Sequence, residues 1–522
     1  MKIEGQNPSA RDFRQALLSM LGLCFVLIMV ALDQTVVGTA LPTVVAELHG
    51  FDLYAWVGTS YLLTSVIVVP IFGKLGDEHG RKPFVVVAII IFTLASMFCG
   101  FAQSMFQLVM ARALQGIGGG MLIATSFACI PDLFPDTRER LRWQVMFSTA
   151  FGLANAFGPS LGGYLAEYWG WRWVFFVNFP VGILSLVFVW FFLPSIRHVA
   201  RPVSRMDWLG AVLVALTLGC LQLVVEWLPQ HKQPLLLITI GVIGFLSAIT
   251  LIWWEHRCEN PVLPLGMIKN NILGPVFALS LIVGFCLFAI MYYAPLLFQG
   301  GFALSPNQAG VLITPLAVFI TVGSIINGRI MTRLQSPKVI LYCGIGCFLI
   351  SALSMSQAVT TTSHGVIALE MMLGGLGIGL LLPNLTLIVQ ASAKRQQLGI
   401  ATAMLQSTRM IGSMLGAAVI GSIISNQYVS KVADMLAENH ANQWISWLKD
   451  PQILFNNELA ENFIKVVPQV NHNALIYLAG ARHALTAAIH ESQWLIAAFI
   501  IFAFWFAYRI PTINIHVHAK DQ

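Results

Sequence analysis

The sequence predicts an all-α polytopic membrane protein, two six-helix bundles joined by a linker that carries two further spans. Three observations predict it. Of the 522 residues 57% are hydrophobic and only 10% charged, whereas soluble domains carry about 25% charged residues; so few charges could not cover a water-facing surface. The apolar residues gather in fourteen runs, each near the ~20 residues that cross a bilayer. The basic residues fall in alternate links between those runs.

Taken in order, spans are expected near 16–41, 54–72, 84–103, 106–130, 144–165, 173–194, 208–228, 235–254, 273–297, 307–328, 338–357, 366–391, 399–425 and 492–509. An even number puts both termini on one side. Links on that side carry Lys74, Arg81 and Lys82; Arg138, Arg140 and Arg142; Arg197, Arg201 and Arg205; Arg329, Arg333 and Lys338. The short links opposite carry only Arg172 and Lys232. Short basic loops stay cytoplasmic, so the expected topology is N-in and C-in. The first apolar run is too long for a signal-peptide core and reads as an uncleaved span.

The expected organisation is a cytoplasmic N-terminus 1–15, a first bundle 16–194, a linker 195–272 with two spans, a second bundle 273–510 and a cytoplasmic tail 511–522. Residues 426–491, polar and mixed in charge, belong to the second bundle and should face outside. They read either as a tolerated insertion or as a small cap or partner-docking surface. An internal repeat supports the two halves: Gly116-Ile117-Gly118-Gly119-Gly120 is echoed by Gly375-Leu376-Gly377-Ile378-Gly379, and Gly158 to Gly162 by Gly416 to Gly421. Parallel repeats place a substrate site between the halves near the midplane.

Few polar residues interrupt the spans, and each is a candidate for function. Asp33 lies inside the first; a carboxylate there costs about 2.5 kcal/mol or more in insertion and so faces a cavity or a partner. It reads as a proton carrier or as a neutral acid satisfied by a neighbour. Arg112, in the fourth span, stays charged and needs an acid or carbonyls, with Asp33 a candidate partner directly or through water. Tuning of the proton site and plain structural bonding both remain open for it. Glu226, near the end of the seventh span, reads as a step on a proton route or as an acid snorkelling to the interface. Gln34, Gln115, Asn155 and Arg409 are, with Asp33, the candidates for lining a substrate cavity, and Arg409 is suited to neutralise an acid across the halves.

Two motifs suggest movement. Gly158-Pro159, followed by Gly162 and Gly163, removes a backbone hydrogen bond and lets helices approach closely. The link Gly73 to Pro83 packs Gly73, Asp77, Gly80, Arg81 and Lys82 between two spans. Asp77, Arg81 and Lys82 can there hold a helix N-terminus and a neighbouring carboxylate.

Together these stretches resemble the major facilitator superfamily, and within it the fourteen-span drug:H+ antiporters. The link Gly73 to Pro83 is similar to the superfamily's G-x-L-x-D-x-x-G-R-K-x. Leu32 to Pro42 is similar to the first-helix signature L-D-x-T-V-V-N-V-A-L-P, with Gly38 and Thr39 in place of Asn and Val. Arg112 to Gly118 resembles R-x-x-Q-G-x-G, and Gly152 to Gly163 resembles G-x-x-x-G-P-x-x-G-G, associated with antiporters rather than uptake systems.

The resemblance implies proton-coupled export of small lipophilic or amphipathic, chiefly cationic compounds across a bacterial inner membrane. Asp33 would carry the proton, Arg112 tune it, Gly73 to Lys82 gate, and Gly158 to Gly163 bend. The proton gradient would be the energy source, with no cofactor, no metal and no enzymatic step, since no phosphate-binding loop appears. The implied partners are drugs or dyes, protons, the bilayer and, for some members, a periplasmic adaptor with an outer-membrane channel. No nucleic acid is expected, because the net charge of +6 is scattered through short links. A dedicated exporter of one metabolite, siderophore or lipid would share every motif; an uptake permease and a non-transporting sensor are the remaining readings.

Overall fold

A computed structural model describes residues 10–134, 137–194, 207–227, 234–258, 261, 265–331, 338–393, 398–467 and 473–511. Every regular element among them is helical. They are α1 (Ala10–Leu48), α2 (Tyr54–His79), α3 (Arg81–Gly100), α4 (Met105–Leu133), α5 (Thr137–Tyr168), α6 (Trp173–Phe176), α7 (Asn178–Phe192), α8 (Trp208–Trp227), α9 (Pro234–Glu255), α10 (Leu273–Leu296), α11 (Pro306–Met331), α12 (Lys338–Met355), α13 (His364–Ser392), α14 (Leu398–Glu438), α15 (Ile445–Leu448), α16 (Asn457–Val466) and α17 (Asn473–Arg509). A helix closes its own backbone hydrogen bonds and is therefore what an apolar run forms in lipid. Thirteen helical segments among the described residues are long and apolar enough to cross a membrane. The remaining expected crossing, near 144–165, coincides with α5, a helix of 32 residues.

The first seven helices pack together: α1 against α4, α5 and α7, α2 against α4, and α3 against α4 and α7. The later ones repeat the arrangement, with α10 against α14 and α17, α11 against α13, and α12 against α13 and α17. The glycine runs explain why. A Cβ on Gly116 would lie 2.3 Å from the Tyr61 carbonyl and one on Gly118 2.7 Å from the Phe92 nitrogen, so α4 sits on the backbones of α2 and α3. In the same way Gly375 meets the Leu316 carbonyl at 2.1 Å and Gly377 the Gly344 carbonyl at 2.6 Å, seating α13 on α11 and α12. Small residues permit this backbone approach where lipid supplies no hydrophobic drive.

The pair α8 and α9 lies outside both groups. Ser247 donates to the Leu213 carbonyl at 3.2 Å and a Cβ on Gly244 would touch Cys220, joining the two helices. Only 11% of the α9 span is buried, so it is peripheral. α8 touches α2 and α14, one from each group.

Of the two readings of the stretch 426–491, the structure shows the cap. α14 continues through it for 41 residues in all and α17 begins well before the expected span, at Asn473. Tyr428, Val432 and Leu436 recur one turn apart on α14 and are fully buried. They face α15, α16 and the start of α17 around Phe463, whose ring lies 5.9 and 6.0 Å from those of Trp444 and Trp447. The segment is a small folded cap whose apolar residues are continuous with the main core. Its polar composition is compatible with this, because a helix needs only one apolar stripe.

Candidate functional site

Asp33 and Arg112 meet directly. Arg112 Nη1 donates to Asp33 Oδ2 at 2.6 Å and to Gln115 Oε1 at 2.7 Å, while Gln115 Nε2 donates to Asp33 Oδ1 at 2.7 Å. Arg112 and Gln115 are three apart on α4 and so share a face. Asn178, opening α7, donates to Ser96 at 3.0 Å and lies 3.4 Å from Asp33 Oδ1; Ser96 donates in turn to the Phe175 carbonyl at 2.9 Å. Arg112 Nε donates to the Val57 carbonyl at 3.1 Å, and its guanidinium lies 4.6 Å from the centre of the Tyr61 ring. Asp33 and Arg112 are each only 1% exposed. Burying two charges is tolerated here because nearly every donor and lone pair is taken.

All these partners belong to α1, α2, α3, α4, α6 and α7. One residue of the second half reaches them: the Tyr292 ring of α10 packs on Gly58 and faces the Arg112 guanidinium. Asp33 and Gln115, expected to line an open substrate space, are instead sealed inside the first half, since each satisfies the other's polar atoms. Gln34 and Asn155 are partly exposed, and Asn155 donates to the Phe151 carbonyl of its own helix at 3.1 Å. Arg409 is also partly exposed, but among the described residues it has no acid to neutralise.

The glycine–proline stretch of α5 has two working faces. Gly158 and Gly162 lie against Thr35 and Val36 of α1, whereas a Cβ on Gly163 would stand 2.3 Å from the Pro306 carbonyl of α11. Reciprocally, a Cβ on Gly310 would stand 2.3 Å from the Pro159 carbonyl. The motif is therefore part of the seam between the halves. Around it Ser160 and Thr314 hydroxyls are 2.5 Å apart, Asn307 N donates to Glu167 at 2.9 Å, and Gln299 donates to the Thr39 carbonyl at 2.8 Å. Tyr54 donates to the Tyr292 carbonyl at 2.9 Å. These cross-half bonds gather toward the end where α1 stops at Leu48.

In the Gly73 to Lys82 link, Gly80 joins α2 to α3 with φ +89°, a conformation side chains resist. The Arg81 stem packs over Gly76, and Lys82 donates to the Trp190 carbonyl at 2.8 Å, near the C-terminal end of α7, where a cation is favoured. Gly73 has open space around it. The side chains of Asp77 and Glu226 lie outside the described residues.

Sequence reasoning missed Glu370. It is 5% exposed on α13, with Ser354 Oγ at 2.5 Å from its Oε1 and its Oε2 without a partner. The signal was available, a carboxylate inside the apolar run 366–391. Asn178 was also visible as a polar interruption, but its role required knowing that α7 returns beside α1.

Comparison with known proteins follows the same lines. The sequence model of the family described as the Major Facilitator Superfamily matches residues 23–417. The chain is 31% identical over 473 residues to the multidrug transporter protein MdtP of Bacillus subtilis (strain 168), covering 86% of this chain and 84% of that one. It is 32% identical over 421 residues to multidrug resistance protein 3 of the same organism, covering 80% and 81%. Among solved structures, a bacterial homologue of the human lysosomal transporter Spinster, inward-facing and unoccupied, superposes with a TM-score of 0.64 at 15% identity, over 98% of this chain and 100% of that chain. At that identity the likeness is one of fold.

Proposed function

This chain belongs to the Major Facilitator Superfamily, and from that premise we propose that it is a proton-coupled multidrug exporter of a bacterial inner membrane. The compounds it moves are small and lipophilic or amphipathic, cations among them. The observation that carries this reading is the sealed Asp33–Arg112–Gln115 cluster in the membrane interior. An acid so placed marks an ion path, and the multidrug relatives supply the direction and substrate class.

In this reading fourteen spans run N-in and C-in, so the end where α1 stops faces outside and the cap over 426–491 is an outer structure. The cap leaves a surface for a periplasmic adaptor without requiring one. The described conformation is closed outward. A proton arriving at Asp33 neutralises the carboxylate and releases Arg112, whose guanidinium then lacks its strongest acceptor. Because Tyr292 of the second half faces that guanidinium, the change reaches the seam between the halves. The proton gradient supplies the free energy, and the two halves alternate access around the space between them.

The test is flux of protons and a cationic dye in inverted vesicles, with wild type and Asp33→Asn at matched expression. Energised wild-type vesicles accumulate dye and release protons, and the variant does neither. Equal proton-coupled flux in both would remove Asp33 from the proton path.

A further inference from the structure

Among the described residues Arg409 is a cation without an acidic partner. It lies well inside α14, where the guanidinium stays charged at any working pH. Among the described residues its side chain makes no hydrogen bond or ion pair. Of the described acids in the membrane interior, Asp33 is engaged by Arg112 and Glu370 faces Ser354 of α12. An ionised group left so in an apolar interior is costly and marks a ligand or an ion path.

Its surroundings say where it faces. α14 packs against α2, α8, α10, α13 and α17, and none of its residues from Ala401 to Ser425 is fully exposed. The partial exposure of Arg409 therefore opens to the interior rather than to lipid. Thr402, Gln406 and Arg409, at i, i+4 and i+7, share one face of α14 and are all partly exposed, which makes a polar stripe on a central helix. The Arg409 stem crosses Gly284 of α10, its Cγ 3.1 Å from where a Cβ would stand. One turn along α10, Phe288 packs against the apolar cores of both halves, as does Leu415 of α14. A single cation thus stands beside an apolar wall at the seam.

We propose that Arg409 binds the acidic group of an amphipathic anion, a carboxylate, phenolate or sulfonate on an apolar skeleton, so that the exported compounds include lipophilic acids as well as cations. This rests on the export reading for its transport consequence but not for the binding itself. The planar guanidinium offers two parallel donors to a carboxylate or sulfonate, and the ring of Phe288 offers a surface for the skeleton. Gln406, one turn away, adds a further donor.

Binding to the purified full chain in detergent tests the site apart from transport. The probe is a naphthalene carboxylate, compared with its neutral primary amide by calorimetry. Wild type should prefer the carboxylate by about tenfold or more. Arg409→Gln should remove that preference, and Arg409→Lys should retain part of it because the charge remains. Folding of the variants is checked by monodisperse elution and by an unchanged thermal unfolding midpoint in detergent. A wild type that does not distinguish acid from amide, or an Arg409→Gln variant that still does, overturns the proposal. If the carboxylate binds through Arg409 but inverted vesicles accumulate neither acid nor dye, the site stands and the export reading falls.

Discussion

Asn456 donates its side-chain amide to the carbonyl of Ala46 at 2.7 Å while its Oδ1 accepts from the Leu459 nitrogen at 3.1 Å. One side chain thus caps α16 and fastens the cap to the end of α1. Gln452 adds a second bond to the same carbonyl at 3.3 Å and a close contact to His49. The cap itself is carried by α14 and α17 of the second half, and Arg482 ties it there by donating to the Gly300 carbonyl at 2.9 Å. Any opening of the halves at this end must break the Ala46 bonds.

Asn456→Ala combined with Gln452→Ala should therefore shift the protein toward the state open at this end. Hydrogen bonds of this kind contribute about 0.5–1.5 kcal/mol each, so the population ratio should change by a few-fold or more. Spin labels at the exposed Asp52 and Lys449 would report a longer, broader distance distribution. An unchanged distribution would mean the bonds do not hold the closure.

Asp33→Asn leaves Arg112 buried beside a neutral amide and should cost about 3–5 kcal/mol of stability, the usual penalty for breaking one side of a buried pair. Arg112→Gln added to it should recover much of the loss, since no uncompensated charge remains. Thermal unfolding in detergent across the four-member cycle measures the coupling; additive losses would show that the pair is not a unit.

Gly163→Ala places a methyl group 2.3 Å from the Pro306 carbonyl, and backbone cannot yield as a side chain can. The variant should insert and express, yet fail to close α5 on α11. Vesicle flux should fall by about tenfold or more, while Gly346→Ala, at a position with open space, should be silent. Normal flux in Gly163→Ala would show that the contact is not made during the cycle.

Burial raises the Asp450 carboxyl above the ordinary carboxylate value, offset in part by the bond it accepts from the Gln452 nitrogen; across the junction it faces Asp52, which adds to the rise, and His49, which with Lys449 opposes it. An acid whose folded value is raised holds its proton more tightly when folded. Its contribution is therefore fullest below the unfolded value and is lost as pH rises through the folded one. Cap docking should weaken from about pH 4 upward, and Asp450→Asn should flatten that slope. The Asp52–Lys449 distance measured between pH 4 and 7, with one label moved to a neighbouring site, checks it.

Glu370→Gln should be tolerated to within about 1 kcal/mol, because an amide keeps the Ser354 bond and no cation is left unpaired. Glu370→Lys should abolish folding. A severe loss in the Gln variant would indicate that the carboxylate has a partner in another state of the cycle.

The sequence is legible where one helix carries the information, with Glu370 the exception. Apolar length marks the spans, and the glycine runs, Gly158-Pro159 and the Arg112–Gln115 pair stand on single helices. What it could not order was the relation between helices. Gln115 looked like a cavity residue because polarity in a span does not say which neighbour absorbs it. Residues 426–491 left insertion and cap both open, because two of their helices are extensions of spans that need only a narrow apolar stripe.

By itself, then, the sequence determined that the chain is a helical membrane protein with two related halves and that Asp33, Arg112 and Arg409 are among its costly interior charges, because hydrophobic length and insertion cost are local properties. Only the tertiary structure decided which charges meet. Asp33 and Arg112 lie 79 positions apart and pair at 2.6 Å, and Asn456 reaches Ala46 across 410 positions. Such contacts depend on how glycine faces set the spacing of packed helices, and that spacing is a property of the assembled bundle rather than of any segment.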